Sequence, residues 1–166
     1  MILGMSIETF TAVHVALSLI GIVAGMIVLV GMLSARRVPG WTALFLTTTV
    51  LTSVTGFLFP ADHLLPSHVV GVISLVVLAV ALPALYVYRL AGPWRWLYVG
   101  SAVLALYLNV FVGVVQVFQK LPVLTRLAPT QSEPPFLVAQ VAVLATFVVL
   151  GIRAVVRFRP MATTPG

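Results

Sequence analysis

The chain contains no cysteine and only three acidic residues in 166. The absence of cysteine excludes disulfides, thiol catalysis, iron–sulfur clusters and metal sites built from thiolates. Charged residues make up 7% of the chain, whereas a soluble domain usually carries about 25%. Hydrophobic residues make up 61%, and the mean hydropathy is +1.21. This composition predicts an integral membrane protein.

Several motifs of soluble enzymes are also missing. The chain has no GxSxG nucleophile elbow, no HExxH zinc signature and no glycine-rich phosphate loop. The net charge of +6 comes from basic residues scattered in ones and twos between apolar runs. That pattern is typical of topology signals rather than of a surface that binds nucleic acid. Whether the protein is an enzyme stays open at this stage.

Long apolar runs determine the expected fold. A helix needs about 20 residues to cross about 30 Å of hydrocarbon, and lipid offers no partners for the backbone. We therefore predict an all-α polytopic protein, with residues 1–159 forming a single bundle of five transmembrane helices and residues 160–166 forming a disordered tail. The five runs cover residues 9–33, 41–59, 67–90, 96–118 and 135–156. Within the connecting segment 119–134, leucine and valine residues could form a short helix lying in the interface.

Lysine and arginine are unevenly distributed between the two faces that five crossings would create. Cytoplasmic loops of membrane proteins carry an excess of these residues, so we predict an outside N-terminus and a cytoplasmic C-terminus, in a bacterial inner membrane. One side would hold only Lys120 and Arg126; the other would hold Arg36, Arg37, Arg89, Arg95, Arg153, Arg157 and Arg159. We expect an aromatic belt at the same cytoplasmic interface, made of Trp41, Trp94, Trp96, Tyr86, Tyr88 and Tyr98.

Polar and titratable residues gather at the opposite, outer face in this topology. All three histidines and all three acidic residues would lie there, and each helix would add a polar side chain to the outer half. Polar groups are expensive inside a bilayer and usually face one another, a cavity or a ligand. We predict an outward-facing pocket whose cofactor-binding residues are His14, His68, Asn109, Gln116 and Gln140. The alternative for the hydroxyl and amide groups is simple helix packing.

His14 and His68 suggest three kinds of ligand, for a redox or a metal-handling role. Two neutral imidazoles on different helices can ligate the iron of haem b from its two faces. A histidine and an amide can instead hydrogen-bond the two oxygens of a quinone. Imidazole and carboxylate groups can also bind a divalent metal ion such as zinc, copper or iron. The predicted metal-ligating residues are His14, His63, His68, Asp62 and Glu133.

These observations lead to one functional prediction and two alternatives. The leading prediction is a small inner-membrane redox or metal-handling protein that holds haem b, a metal ion or a quinone in the outer pocket. One alternative is an accessory or assembly subunit of a larger membrane complex. The other is a small transporter or channel. Gly21 and Gly25 form a GxxxG pattern, which permits close packing within the chain or a homodimer. Expected partners are the lipid bilayer and these protein partners, but no nucleic acid.

Overall fold

The computed structural model describes residues 1–60 and 66–159, and these ranges form helices without any strand. The all-α prediction is confirmed. Asp62 and His63 lie outside the described residues, as do residues 160–166. The elements are α1 (Ile7–Leu33), α2 (Pro39–Gly56), α3 (Pro66–Tyr86), α4 (Trp94–Lys120), α5 (Pro122–Leu127) and α6 (Pro134–Arg157).

Four helices of the described chain, α1, α3, α4 and α6, are long and apolar enough to cross a membrane. This finding supports an integral membrane protein. The second apolar run, residues 41–59, largely coincides with the helix α2, but α2 is not among these four. The short α5 lies in the segment 119–134, where the sequence allows a short helix.

Local chemistry explains where the helices begin. Ser6 caps α1, since its hydroxyl oxygen accepts a hydrogen bond from the Thr9 amide at 3.2 Å. The helices α2, α3, α5 and α6 each start with a proline. The first position of a helix is where the missing amide hydrogen of proline costs nothing. These first residues are Pro39, Pro66, Pro122 and Pro134.

Close approach of α1, α2 and α4 depends on the two glycines of the GxxxG pattern. A Cβ atom on Gly25 would lie 2.6 Å from a methyl of Leu106 and 2.9 Å from the ring of Phe45. A Cβ atom on Gly21 would lie 3.1 Å from the Thr48 hydroxyl. The pattern therefore serves packing within one chain, and its glycine face is covered by α2 and α4.

The helix neighbours define two ends of the bundle. Thr55, near the end of α2, contacts His14, near the start of α1, so these helices are antiparallel. We call the end that contains His14, His68 and Glu133 the histidine end. We call the opposite end, where α1 joins α2 and α3 joins α4, the arginine end. Between them lies a buried layer formed by Gly25, Phe45 and Leu106, which we call the core layer.

Candidate functional site

His14 is held by a hydrogen bond between α1 and α2. Its Nδ1 lies 2.8 Å from the Oγ1 of Thr55, whose hydroxyl in turn donates to the Leu51 carbonyl at 2.7 Å. Because the Thr55 proton is directed to that carbonyl, Thr55 accepts from His14, and we assign the imidazole proton to Nδ1. The Nε2 atom is then left with its lone pair. A histidine oriented through one nitrogen in this way can bind a metal or accept a hydrogen bond through the other.

Aromatic rings fix the plane of the same imidazole. The Phe59 ring meets His14 edge-on, with centroids 5.2 Å apart, and Phe10 meets Phe59 at 5.0 Å. Phe10 is 2% exposed, so this group is anchored in the protein. On either side of His14 along α1, Val13 and Val15 are exposed. The imidazole thus lies between a buried aromatic group and a surface that faces outward from the bundle.

His68, on α3, also contacts the residues that follow α2. Its ring is stacked on Phe57, with centroids 5.6 Å apart and planes 13° from parallel. The Phe57 ring also lies 3.0 Å from the position of a Cβ atom on Gly71. The lack of a side chain at Gly71 therefore leaves the space that Phe57 fills. His14 and His68 lie on either side of the residues that follow α2, and each contacts a different phenylalanine there.

Asn109 and Gln140 lie at separate contacts between helices. The Asn109 Nδ2 donates to the Thr49 Oγ1 at 3.1 Å, which joins α4 to α2 beside Gly21. The Gln140 Nε2 donates to the Phe111 carbonyl at 3.2 Å, which joins α6 to α4. Gln140 is 8% exposed, and its Oε1 has no hydrogen-bond partner within residues 1–60 and 66–159. An unpaired acceptor of this kind is costly and calls for a functional or structural reason.

Gln116 and Glu133 form hydrogen bonds with residues close to them in the sequence. Gln116 is exposed on α4, and its Nε2 lies 3.5 Å from the Oε1 of Gln119 on the same helix. Glu133 precedes α6, where its carboxylate accepts from the Thr130 hydroxyl at 2.8 Å and from the Thr130 and Ser132 amides at 3.1 Å. Desolvation alone raises the pKa of Glu133, but these hydrogen bonds outweigh it and hold the pKa below its usual range.

The predicted metal-ligating residues are spread in the same way. Among the residues that the structure describes, no three histidine, aspartate or glutamate side chains form a group that could hold a metal ion. The Glu133 carboxylate accepts a hydrogen bond from Thr130 in its own loop. Asp62 and His63 fall outside the described ranges. The histidine end therefore presents one oriented imidazole nitrogen, on His14, rather than an assembled cluster of ligands.

A cavity of about 120 Å³ lies at the arginine end, where the sequence predicts only topology signals and interfacial anchors. Its polar lining consists of Arg36, Arg37, Thr42, Tyr86 and Tyr98. The sequence signal for an anion site here was the pair Arg36 and Arg37, which lie just before a helix that starts with proline. The N-terminus of that helix adds partial positive charge to the charges of the two arginines. Which tyrosines would join them depends on packing between distant helices and could not be read from the sequence.

A comparison of the chain with protein-family models, with curated proteins and with solved structures found no match.

Proposed function

We propose that α2 crosses the membrane together with the four apolar helices, which gives five crossings. The support is its placement: Thr55 contacts His14 and Phe45 contacts Gly25, so α2 lies antiparallel along most of α1. Its 18 residues span about 27 Å at 1.5 Å per residue, close to the thickness of the hydrocarbon. With the arginine end in the cytoplasm, the N-terminus and the histidine end face outward in a bacterial inner membrane.

We propose further that the chain is a small inner-membrane redox protein that binds its redox ligand through His14. The observation that carries this proposal is the orientation of the imidazole by Thr55, which leaves the Nε2 lone pair to a ligand. Haem iron, a divalent metal ion and the hydroxyl of a quinol all require such a lone pair. The three ligands differ in how many further groups they need.

Among the three, a quinol requires the least from the other side chains. Haem b with two axial histidines requires ring nitrogens about 4 Å apart, given metal–nitrogen bonds of about 2 Å. His68 would then have to leave its stacking on Phe57. A metal ion would need more ligands than His14 alone. A quinol needs one acceptor, aromatic neighbours and access from lipid, and His14 offers these beside Phe59 and the exposed Val13. We therefore place quinol binding first, ahead of haem b and a metal ion.

The test uses the protein purified in a mild detergent. Organic extraction measures bound quinone, an absorption spectrum detects haem, and elemental analysis detects metal. We expect about one quinol per chain, recovered as quinone after oxidation, loss of binding in His14→Ala, and binding about fivefold weaker in Thr55→Val, the equivalent of one hydrogen bond of about 1 kcal/mol. Thr47→Val is the matched control, since Thr47 is exposed on the same helix.

Four other outcomes would change the assigned ligand or contradict the proposal. A Soret band that disappears in both His14→Ala and His68→Ala would replace the quinol with haem b. A stoichiometric metal would replace it with a metal centre. Equal quinone binding by the wild type and by His14→Ala would contradict a site at His14. A preparation that holds none of the three and binds no added quinol would end the redox proposal.

The second candidate is an accessory subunit of a larger membrane complex. It is favoured by the use of Asn109 and Gln140 in bonds between helices, where they stabilise the bundle rather than line an open space. Co-purification of a larger complex, together with full function of His14→Ala and His68→Ala, would favour this candidate over the first. Transport has less support, because the buried core layer separates the histidine end from the cavity. Solute flux across liposomes would revive it.

A further inference from the structure

Within residues 1–60 and 66–159, the two arginines at the cavity of the arginine end have no acidic counterpart nearby. The chain contains three acidic residues; Glu8 and Glu133 lie at the histidine end, and Asp62 lies outside the described residues. Arg36 and Arg37 lie between α1 and α2 and form part of the cavity wall. Two adjacent guanidinium groups without an internal countercharge attract an anion, and the attraction is strongest in a concave, partly apolar site.

A third arginine at this end, Arg95, has a structural role. The Nη1 of Arg95 donates to the carbonyls of Val155 and Phe158, at 3.0 and 2.6 Å, so it binds the last turn of α6. Phe158 is thereby held against the cavity, where it is 4% exposed. Arg36 and Arg37 make no comparable hydrogen bonds within the described residues. Their charges remain for a ligand, whereas the charge of Arg95 is engaged.

The cavity also supplies hydrogen-bond donors. The α2 helix starts at its edge without a side-chain cap, and the first amide bonded inside that helix is that of Thr42, to Val38 at 2.9 Å. The amides of Gly40 and Trp41 therefore point out of the helix N-terminus, where the helix dipole favours an anion. The Tyr98 side chain is 2% exposed and lines the cavity. Together with the guanidinium groups of Arg36 and Arg37, these donors exceed the about four hydrogen bonds that the two oxygens of a carboxylate accept.

We propose that this cavity binds a phosphate group, as a phospholipid headgroup or as free phosphate. Guanidinium groups form paired hydrogen bonds with phosphate oxygens, and the remaining oxygens would meet the Tyr98 hydroxyl and lie near the N-terminus of α2, whose first residue lines the cavity. A volume of about 120 Å³ is several times what one water molecule requires. Apolar residues such as Met32 and Leu85 line the rest of the wall, which suits the start of an acyl chain. The site is independent of whatever His14 binds.

The experiment compares three preparations of the full chain in detergent. The wild type, Arg36→Gln/Arg37→Gln and Arg153→Gln/Arg157→Gln are each titrated with phosphatidylglycerol, phosphatidylcholine and inorganic phosphate, and bound ligand is counted by native mass spectrometry. The control variant loses the same two charges from exposed positions on α6 that do not line the cavity. We expect binding to weaken at least tenfold in the cavity variant only, because charge-assisted hydrogen bonds contribute about 1.5–3 kcal/mol each.

The ligand series separates the two sources. Retention of lipid that inorganic phosphate does not displace assigns the site to a headgroup, and saturable displacement assigns it to free phosphate. Equal loss of binding in the two double variants would overturn the proposal, as would the absence of any phosphate ligand on the wild type. If the cavity variant melts differently from the control, the wild type still decides: its binding must weaken as ionic strength rises.

Discussion

The histidine end and the arginine end of the bundle use their polar residues in opposite ways. At the histidine end, His14, Asn109 and Gln140 are engaged in hydrogen bonds between helices. At the arginine end the helices are nearly apolar, yet two arginines and two tyrosines surround a cavity. Polar side chains in the middle of helices therefore indicate how helices pair. Open space arises where helix ends and loops leave a volume unfilled.

The separation of the two ends depends on the core layer, and replacing Gly25 should disturb it most. In Gly25→Leu the new side chain would collide with Leu106 and Phe45, whose atoms lie within 3 Å of the Cβ position. We expect the free energy of unfolding to fall by about 3 kcal/mol. Thermal melting in detergent measures this loss. Gly100→Leu is the control, since Gly100 has nothing within 4 Å, and it should be neutral or stabilising. Equal melting temperatures for the two variants would show that the core layer tolerates a side chain.

A second comparison asks whether the amides of the histidine end are structural. Asn109→Leu leaves Thr49, which is 0% exposed, without its donor, and we expect a loss of about 2 kcal/mol. Gln140→Met removes an unpaired buried oxygen together with one hydrogen bond, so stability should be unchanged or rise by up to about 1 kcal/mol. Unfolding in detergent measures both. A large loss in Gln140→Met would mean that its oxygen has a partner, and a loss of ligand binding without a loss of stability would place Gln140 in the site.

How much of this could be predicted differs between fold and site. Each apolar run predicted a helix, because lipid forces backbone groups to bond within one segment and prolines mark the starts. The number of crossings was harder, since the threonines of α2 lower its apolar character while its contacts with α1 keep it in the bundle. The sequence predicted that Asn109 and Gln140 bind a cofactor, with helix packing as the alternative, and it named no partner residue for either. Pairing depends on rotation and register, which helical periodicity leaves free.

The candidate site was predictable only in part. His14 could be singled out, since a histidine at that depth needs a partner, yet nothing in the sequence named Thr55. The sequence could not show that His14 and His68 both contact the residues after α2, because this depends on the ring contacts of Phe59 with His14 and of Phe57 with His68. The cavity was missed because its wall comes from α1, α2, α3 and α4 at once.

At the arginine end, a smaller effect should come from Ala35, which follows α1 with φ of 55°. The Arg36 amide donates to the Gly31 carbonyl at 2.8 Å across this residue, so the chain needs a left-handed conformation that glycine adopts more easily. We expect Ala35→Gly to raise stability by about 1 kcal/mol or less. Ala91→Gly, in the next loop at the same end, should give no gain because its φ is not positive. Melting temperatures compare the two; equal gains would contradict the role of the backbone at Ala35.

The smallest effect concerns the loop before α6, at the histidine end. Because the pKa of Glu133 is lowered in the folded protein, the stability that its carboxylate contributes is present above the ordinary pKa of about 4.5. It is lost as the pH falls through the lower, folded value. Hydrogen exchange at the Thr130 and Ser132 amides should therefore approach that of Glu133→Gln at low pH and be slower than it at neutral pH. Identical exchange in the two proteins at neutral pH would contradict this prediction.

The prolines that begin four of the helices also restrict axial sliding of those helices. Pro39, Pro66 and Pro134 each occupy the first position, so lengthening α2, α3 or α6 by one turn at its start would move a proline into the helix interior. That change costs about 3 kcal/mol, because a carbonyl loses its partner and the ring clashes with the preceding turn. Each of these helices thus has a fixed first residue. The positions of Thr55, His68 and Gln140 along the bundle axis are therefore determined by covalent geometry as well as by packing.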